Sequence, residues 1–169
     1  MCGRAKDDLL ILFLDFDGVL HHWNVMVERM PDRKRIPIME GPGELFQWAP
    51  HLEAALAAYP ETRIILSTKW VWWFGIEYCR GRLPESLAEK IIGATWEGGW
   101  AMPEGWSHWD RSRQIRFHVE KYKIERWFAI DDDDRGLASD DREHWVITPA
   151  WLGVSDPLAL QQIEEHLDN

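Results

Sequence analysis

Residues 13–22 read FLDFDGVLHH, and they complete an apolar run, residues 9–14 (LLILFL), that holds no polar side chain. A run this short cannot span a bilayer. Being apolar on every residue, it fits a strand buried on both faces, as in a parallel sheet. It stops at Asp15-Phe16-Asp17-Gly18. Aspartate and glycine both favour turns, so the tetrapeptide suits a chain leaving a strand. Two carboxylates one residue apart also suit acid–base or metal chemistry. Taken alone, the stretch does not choose between these readings.

The same pattern occurs twice more. Residues 62–66 (TRIIL) end at Ser67-Thr68, and residues 126–130 (RWFAI) end at Asp131, Asp132, Asp133 and Asp134. Residues 91–95 and 144–148 supply two further candidate strands. Between the strands, apolar spacing predicts helices over 44–59, 110–122 and 158–167. The first places Leu45, Trp48, Leu52, Ala55, Leu56 and Tyr59 on one side, with Pro50 marking a helix start inside it. Buried strands alternating with helices imply a three-layer α/β/α, Rossmann-like, mostly parallel sheet. In such sheets ligands bind beyond the carboxyl ends of the strands. All three polar strand ends would then lie along one edge.

If those strands are neighbours, Asp15, Asp17, Asp131 and Asp132 converge. Like charges that close repel, so either some protonate or a cation sits among them. Hard oxygen ligands with room for water suit Mg²⁺. Ser67 and Thr68 can donate to phosphate oxygens, and Lys69 or an arginine can balance charge. A calcium loop is excluded by spacing. With Asp131 at its first position, Arg135 takes a ligand position and Arg142 replaces the closing glutamate.

These segments together resemble the haloacid dehalogenase (HAD) superfamily of phosphohydrolases. LLILFLDFDGVL resembles its first motif, RIILST its second and WFAIDDDD its fourth; a basic residue ahead of the last is expected, and Arg113 in DRSRQIRFHVEKY fits, with Arg111 and Lys69 as competitors. The family usually has lysine there. The tail HWVITPAWLGVSDPLALQQIEEHL resembles small HAD-like domains, some of which accompany nucleic-acid repair modules. The resemblance covers about residues 9–167. It implies Asp15 as nucleophile, forming an aspartyl-phosphate, and Asp17 as acid and then base. It also implies Mg²⁺ held by Asp15, the Asp17 main chain and Asp132, with Asp131 as ligand or neighbour. Ser67, with Thr68, would bind the phosphoryl group, and Arg113 or Lys69 would neutralise charge. Asp133 and Asp134 are read as surface or capping residues.

The 169 residues are expected to form a single domain, with a flap at 19–43, an irregular insertion at 94–110 and no room for a large cap. Arg29, Arg33, Lys34 and Arg35 in the flap could meet an anionic substrate, and an open site would admit a nucleotide or a nucleic-acid end. His21 and His22 could line the site or pack the flap. Twelve tryptophans are many for this length. Those at 94–110 could stack a base or pack a loop, and of Trp70, Trp72 and Trp73 at least one should be core. A net charge of −10 argues against extended duplex binding. The polar start at residues 1–8 is unlike a signal peptide. Two isolated cysteines, Cys2 and Cys79, make structural zinc improbable and a cytoplasmic location the default. The expected function is a Mg²⁺-dependent phosphatase of a phosphorylated small molecule, nucleotide or nucleic-acid end. The alternatives are a silent binding module and another enzyme of the fold, such as a phosphotransferase. A dehalogenase would not need Asp17, and a mutase would normally carry a larger cap.

Overall fold

A computed structural model describes residues 9–169, so Cys2 and the polar start lie outside the described residues. Five strands, β1 (Ile11–Leu14), β4 (Arg63–Leu66), β5 (Ile91–Ala94), β6 (Trp127–Asp131) and β7 (Trp145–Ile147), form one sheet in the order β5-β4-β1-β6-β7. Every pairing in it is parallel. The strand that ends at Asp15 is therefore central, flanked by the strands that end at Ser67 and Asp131. Its register pairs Leu14 with Leu66 on one side and Ile130 on the other, which brings the three polar ends level.

Side-chain alternation sorts the sheet into two faces. Leu12, Leu14, Ile64, Leu66, Phe128 and Ile130 face one core, shared with α1 (Ala49–Leu56) and α6 (Pro157–Asp168). The same core takes in α2 (Lys69–Phe74), α3 (Ile76–Arg80) and α4 (Glu85–Ala88). Ile11, Phe13, Ile65 and Ala129 face the other, against Ile115 and Val119 of α5 (Arg111–Tyr122). Helices thus cover both faces, giving the three-layer α/β/α architecture. Among the described residues no helix is long and apolar enough to cross a membrane.

The flap is a hairpin, β2 (Val25–Arg29) paired antiparallel with β3 (Arg35–Met39). Its four basic residues are exposed. No large cap accompanies it. The helix expected over 44–59 is shorter, because α1 starts at Ala49 with Pro50 in its first turn. Proline has no N–H to extend a helix from its N-terminal side. The preceding residues turn instead, and Phe46 takes φ 60°, in the left-handed region.

Candidate active site

Asp15 is the first residue beyond β1, and its Oδ1 accepts the Phe16 amide at 2.7 Å. The chain then folds on itself. Leu20 N–H donates to the Phe16 carbonyl at 2.9 Å and Gly18 N–H to His21 at 3.0 Å. Thr148, just past β7, donates its hydroxyl to the Gly18 carbonyl at 2.8 Å, tying the turn to the far strand. Gly18 has φ 72°, and a Cβ there would collide with the Asp132 carboxylate. Glycine is required at this position on both counts.

Asp15, Asp131 and Asp132 each turn a carboxylate oxygen into one cluster, with those atoms all within 4.8 Å of one another. Burial pushes the Asp15 carboxyl above its ordinary range against the pull of Arg111. Asp131, 1% exposed, is pushed well up by burial and by Asp15. Burial, with Asp15 beside it, raises Asp132 to about 7. Three carboxylates this close cannot all stay ionised without a cation. Asp131 Oδ2 is buried, and the Arg111 guanidinium beside it meets its charge without a well-aligned hydrogen bond. Three carboxylates that turn hard oxygen donors to one point fit a divalent cation such as Mg²⁺.

Arg111 opens α5 and reaches the cluster, with Nη2 3.7 Å from Asp15 Oδ2 and Nε 3.2 Å from Asp131 Oδ2. Its other amine donates to Gln114 Oε1 at 3.0 Å, and Gln114 in turn donates to the Trp106 carbonyl at 3.0 Å. The guanidinium is thereby fixed from behind. Arg113 does not join the cluster: its guanidinium lies 3.8 Å from the centre of the Trp109 ring. The expectation of Arg113 at the phosphate is corrected in position. Two residues along a helix is a rotation of about 200°, so both arginines cannot face the sheet. Lys69 is exposed and lines the same crevice.

Thr68, the N-cap of α2, accepts from the Trp70 amide and hydrogen-bonds the Asp15 carboxylate. Ser67 is 1% exposed, and its hydroxyl has no partner. Asp17 is partly exposed at the crevice mouth, where its Oδ1 meets Trp70 Nε1 and His21 Nε2, each at 2.9 Å. The sequence leaves His21 either lining the site or packing the flap, and Trp70 as one of three tryptophans of which at least one is core. The contact with Asp17 went unseen because it joins residues 53 positions apart. His22 packs within the flap, where a Cβ on Gly41 would strike its ring.

Asp15, Asp17, Thr68, Lys69, Arg111, Asp131 and Asp132 line one crevice of about 420 Å³. Trp72, Trp96, Trp106 and Trp109 also line it. Within the insertion Trp106 is buried and Trp96 packs on it at 5.3 Å, whereas Trp100 is 93% exposed. The insertion thus divides into packing and exposed tryptophans, and Trp72 on α2 is itself 50% exposed. A larger cavity of about 830 Å³ lies between α5 and β5, lined by Ile11, Ile65, Ile92 and Ile124; it contains none of the strand-end aspartates.

No match was found among curated proteins or among solved structures. Residues 11–159 match a family described as the HAD domain in Swiss Army Knife RNA repair proteins. With the match spanning most of the chain and every strand of the five-stranded sheet, the protein belongs to this family of HAD-type hydrolase domains.

Proposed function

We propose that the protein is a Mg²⁺-dependent phosphatase that removes the phosphate from a nucleotide or a nucleic-acid end through an aspartyl-phosphate on Asp15. The observation that carries this reading is the meeting of Asp15, Asp131 and Asp132 beside the largely buried Arg111 guanidinium, 13% exposed. A scaffold has no need for such a costly arrangement of charge.

In the proposed reaction a carboxylate oxygen of Asp15 attacks phosphorus as the bond from phosphorus to the ester oxygen breaks. Asp17 donates its proton to the departing oxygen. It then takes one from the water that attacks the aspartyl-phosphate, which frees inorganic phosphate, regenerates the Asp15 carboxylate and returns Asp17 to its protonated form. Arg111 balances charge on Asp15 and on the phosphoryl oxygens. Thr68 and Lys69, which line the crevice, and the buried Ser67 hydroxyl behind them would bind those oxygens. Asp15, Asp131 and Asp132 would hold Mg²⁺, which supplies positive charge against the acids and the transferring group. Phosphate monoesters react so slowly unaided, with enzymatic accelerations up to roughly 10²¹-fold, that most of the catalysis must come from such charge placement.

The nucleic-acid part of the reading has two supports. Members of the matched family are domains of RNA repair proteins. Trp72 lines the crevice and is half exposed, so it could offer a stacking surface, and a base on an indole contributes about 1–3 kcal/mol. The test is a phosphatase screen with Mg²⁺ and with EDTA. It would compare p-nitrophenyl phosphate, ribose 5-phosphate, nucleoside monophosphates and end-phosphorylated oligonucleotides. The reading predicts EDTA-sensitive release, with kcat/KM higher for base-bearing substrates and that preference lost in Trp72→Ala. Equal turnover of ribose 5-phosphate and nucleotides would remove the base from the reading. No release from any substrate by the folded, Mg²⁺-loaded chain would remove the enzyme.

A further inference from the structure

The turn after β1 places Asp17 where two N–H groups converge on one of its oxygens. Trp70 Nε1 and His21 Nε2 each lie 2.9 Å from Oδ1. The roles in the second contact follow from the far side of the imidazole. The Phe46 amide sits 3.2 Å from His21 Nδ1, and a backbone N–H can only donate. Nδ1 therefore bears the lone pair, the ring proton lies on Nε2, and His21 is a donor to Asp17.

This cage has little freedom to rearrange. His21 and Trp70 are both fully buried. The imidazole stands edge-on to Phe46 at 4.9 Å and lies 5.4 Å from Trp70, while Phe16, Phe46 and Trp70 contact one another between 5.1 and 5.7 Å. Phe46 supplies the N–H from a left-handed conformation, φ 60°, which is unfavourable for a residue with a side chain. The ring contacts and the bond to His21 offset that cost. The strained residue, the tautomer and the carboxylate are thus set by one another.

We infer that His21 and Trp70 are positioning residues for Asp17: together they occupy Oδ1 and leave Oδ2 as the oxygen that exchanges the proton with the ester and with water. The inference rests on the reading of Asp17 as acid and base. A carboxylate free to rotate would offer either oxygen at a spread of angles, and proton transfer requires hydrogen-bond reach to the departing atom.

The dependence on leaving group tests it. p-Nitrophenolate departs without a proton, whereas an alkoxide needs one, so the ratio of kcat/KM for p-nitrophenyl phosphate over 2-phenylethyl phosphate measures the acid. kcat/KM includes only steps through the first release, so later hydrolysis of the intermediate does not blur it. Trp70→Phe keeps an aromatic ring but removes the donor, and it is expected to raise the ratio about tenfold, within the 10²–10⁴-fold available to general acids. His21→Phe should do the same. His21→Gln, which retains an amide N–H, should recover part of the wild-type ratio. Asp17→Asn gives the upper limit. Variants that slow both esters equally would overturn the positioning role, because a general loss of structure moves both rates together. An unchanged ratio in Trp70→Phe would also overturn it. If Asp17→Asn itself leaves the ratio unchanged, the reading of Asp17 as the acid fails instead, and the two failures are told apart.

Discussion

Asp131 and Asp132 share a side chain with Asp133 and Asp134 and directly precede them, yet the fold treats the two halves of the run as opposites. Asp131 ends β6 and Asp132 follows it, both inside the cluster with Asp15, where burial raises both carboxyls. The second pair has left the sheet. Arg135 holds Asp133 below its ordinary range through hydrogen bonds as short as 2.6 Å, and exposed Asp134 pairs with Arg142 at 3.3 Å. Burial thus separates carboxylates crowded against one another beside a single arginine from carboxylates that each have an arginine and water.

Single substitutions along the run should break the comparison most visibly. Asp131→Asn or Asp132→Asn is expected to lower Mg²⁺-dependent kcat/KM by more than about 100-fold, as for loss of a metal-site carboxylate. Asp133→Asn and Asp134→Asn should stay within about threefold, since exposed ion pairs contribute little. Equal losses across all four positions would erase the distinction.

The arginines of α5 sharpen the same point with a smaller effect. Arg111→Ala removes the guanidinium beside Asp15 and Asp131 and should cost about 100-fold in kcat/KM. Arg113→Ala removes only the group over Trp109 and should cost a few-fold at most. Steady-state kinetics on p-nitrophenyl phosphate would decide, and the reverse order would restore Arg113 to the phosphate.

The strands were legible because each is a short, mainly apolar run, which a sheet covered on both faces accommodates. The aspartates were legible because they stop those runs. Arg111 was less so, although the signal was present. Positions 111, 115 and 118 recur at helical spacing, and Arg111, Ile115 and His118 do share the face that α5 turns to the sheet. Position 113 falls off that face, and resemblance alone had favoured it. The hairpin β2–β3 was seen only as a flap, since its strands mix charged and apolar residues without strict alternation. The cage of His21, Phe46 and Trp70 around Asp17 joins distant segments, and no local pattern encodes it.

The smallest expected effect lies further along the same helix face. His118 is buried edge-on to Phe13 at 5.7 Å, near Glu97 and Lys121, and burial lowers its pKa to about 4. The unfolded chain, with an ordinary histidine near 6.5, takes up a proton first as the pH falls. This contribution to stability is complete above about pH 6.5 and is lost progressively toward pH 4, roughly 1–2 kcal/mol between pH 7 and 5. Urea unfolding at the two pH values should therefore show a steeper loss for the native chain than for His118→Gln. Parallel losses would mean that His118 is protonated in the fold.

The central claim, that Asp15 carries the phosphoryl group, has a direct test. The full chain with Mg²⁺ would be mixed with a phosphate-labelled p-nitrophenyl ester, quenched in acid within the first turnover, digested and mapped by mass spectrometry. The account predicts an acid-stable, hydroxylamine-sensitive phosphoryl group on the peptide containing Asp15, absent in Asp15→Asn together with turnover. Phosphate release without any labelled Asp15, or release that persists in Asp15→Asn, would contradict it.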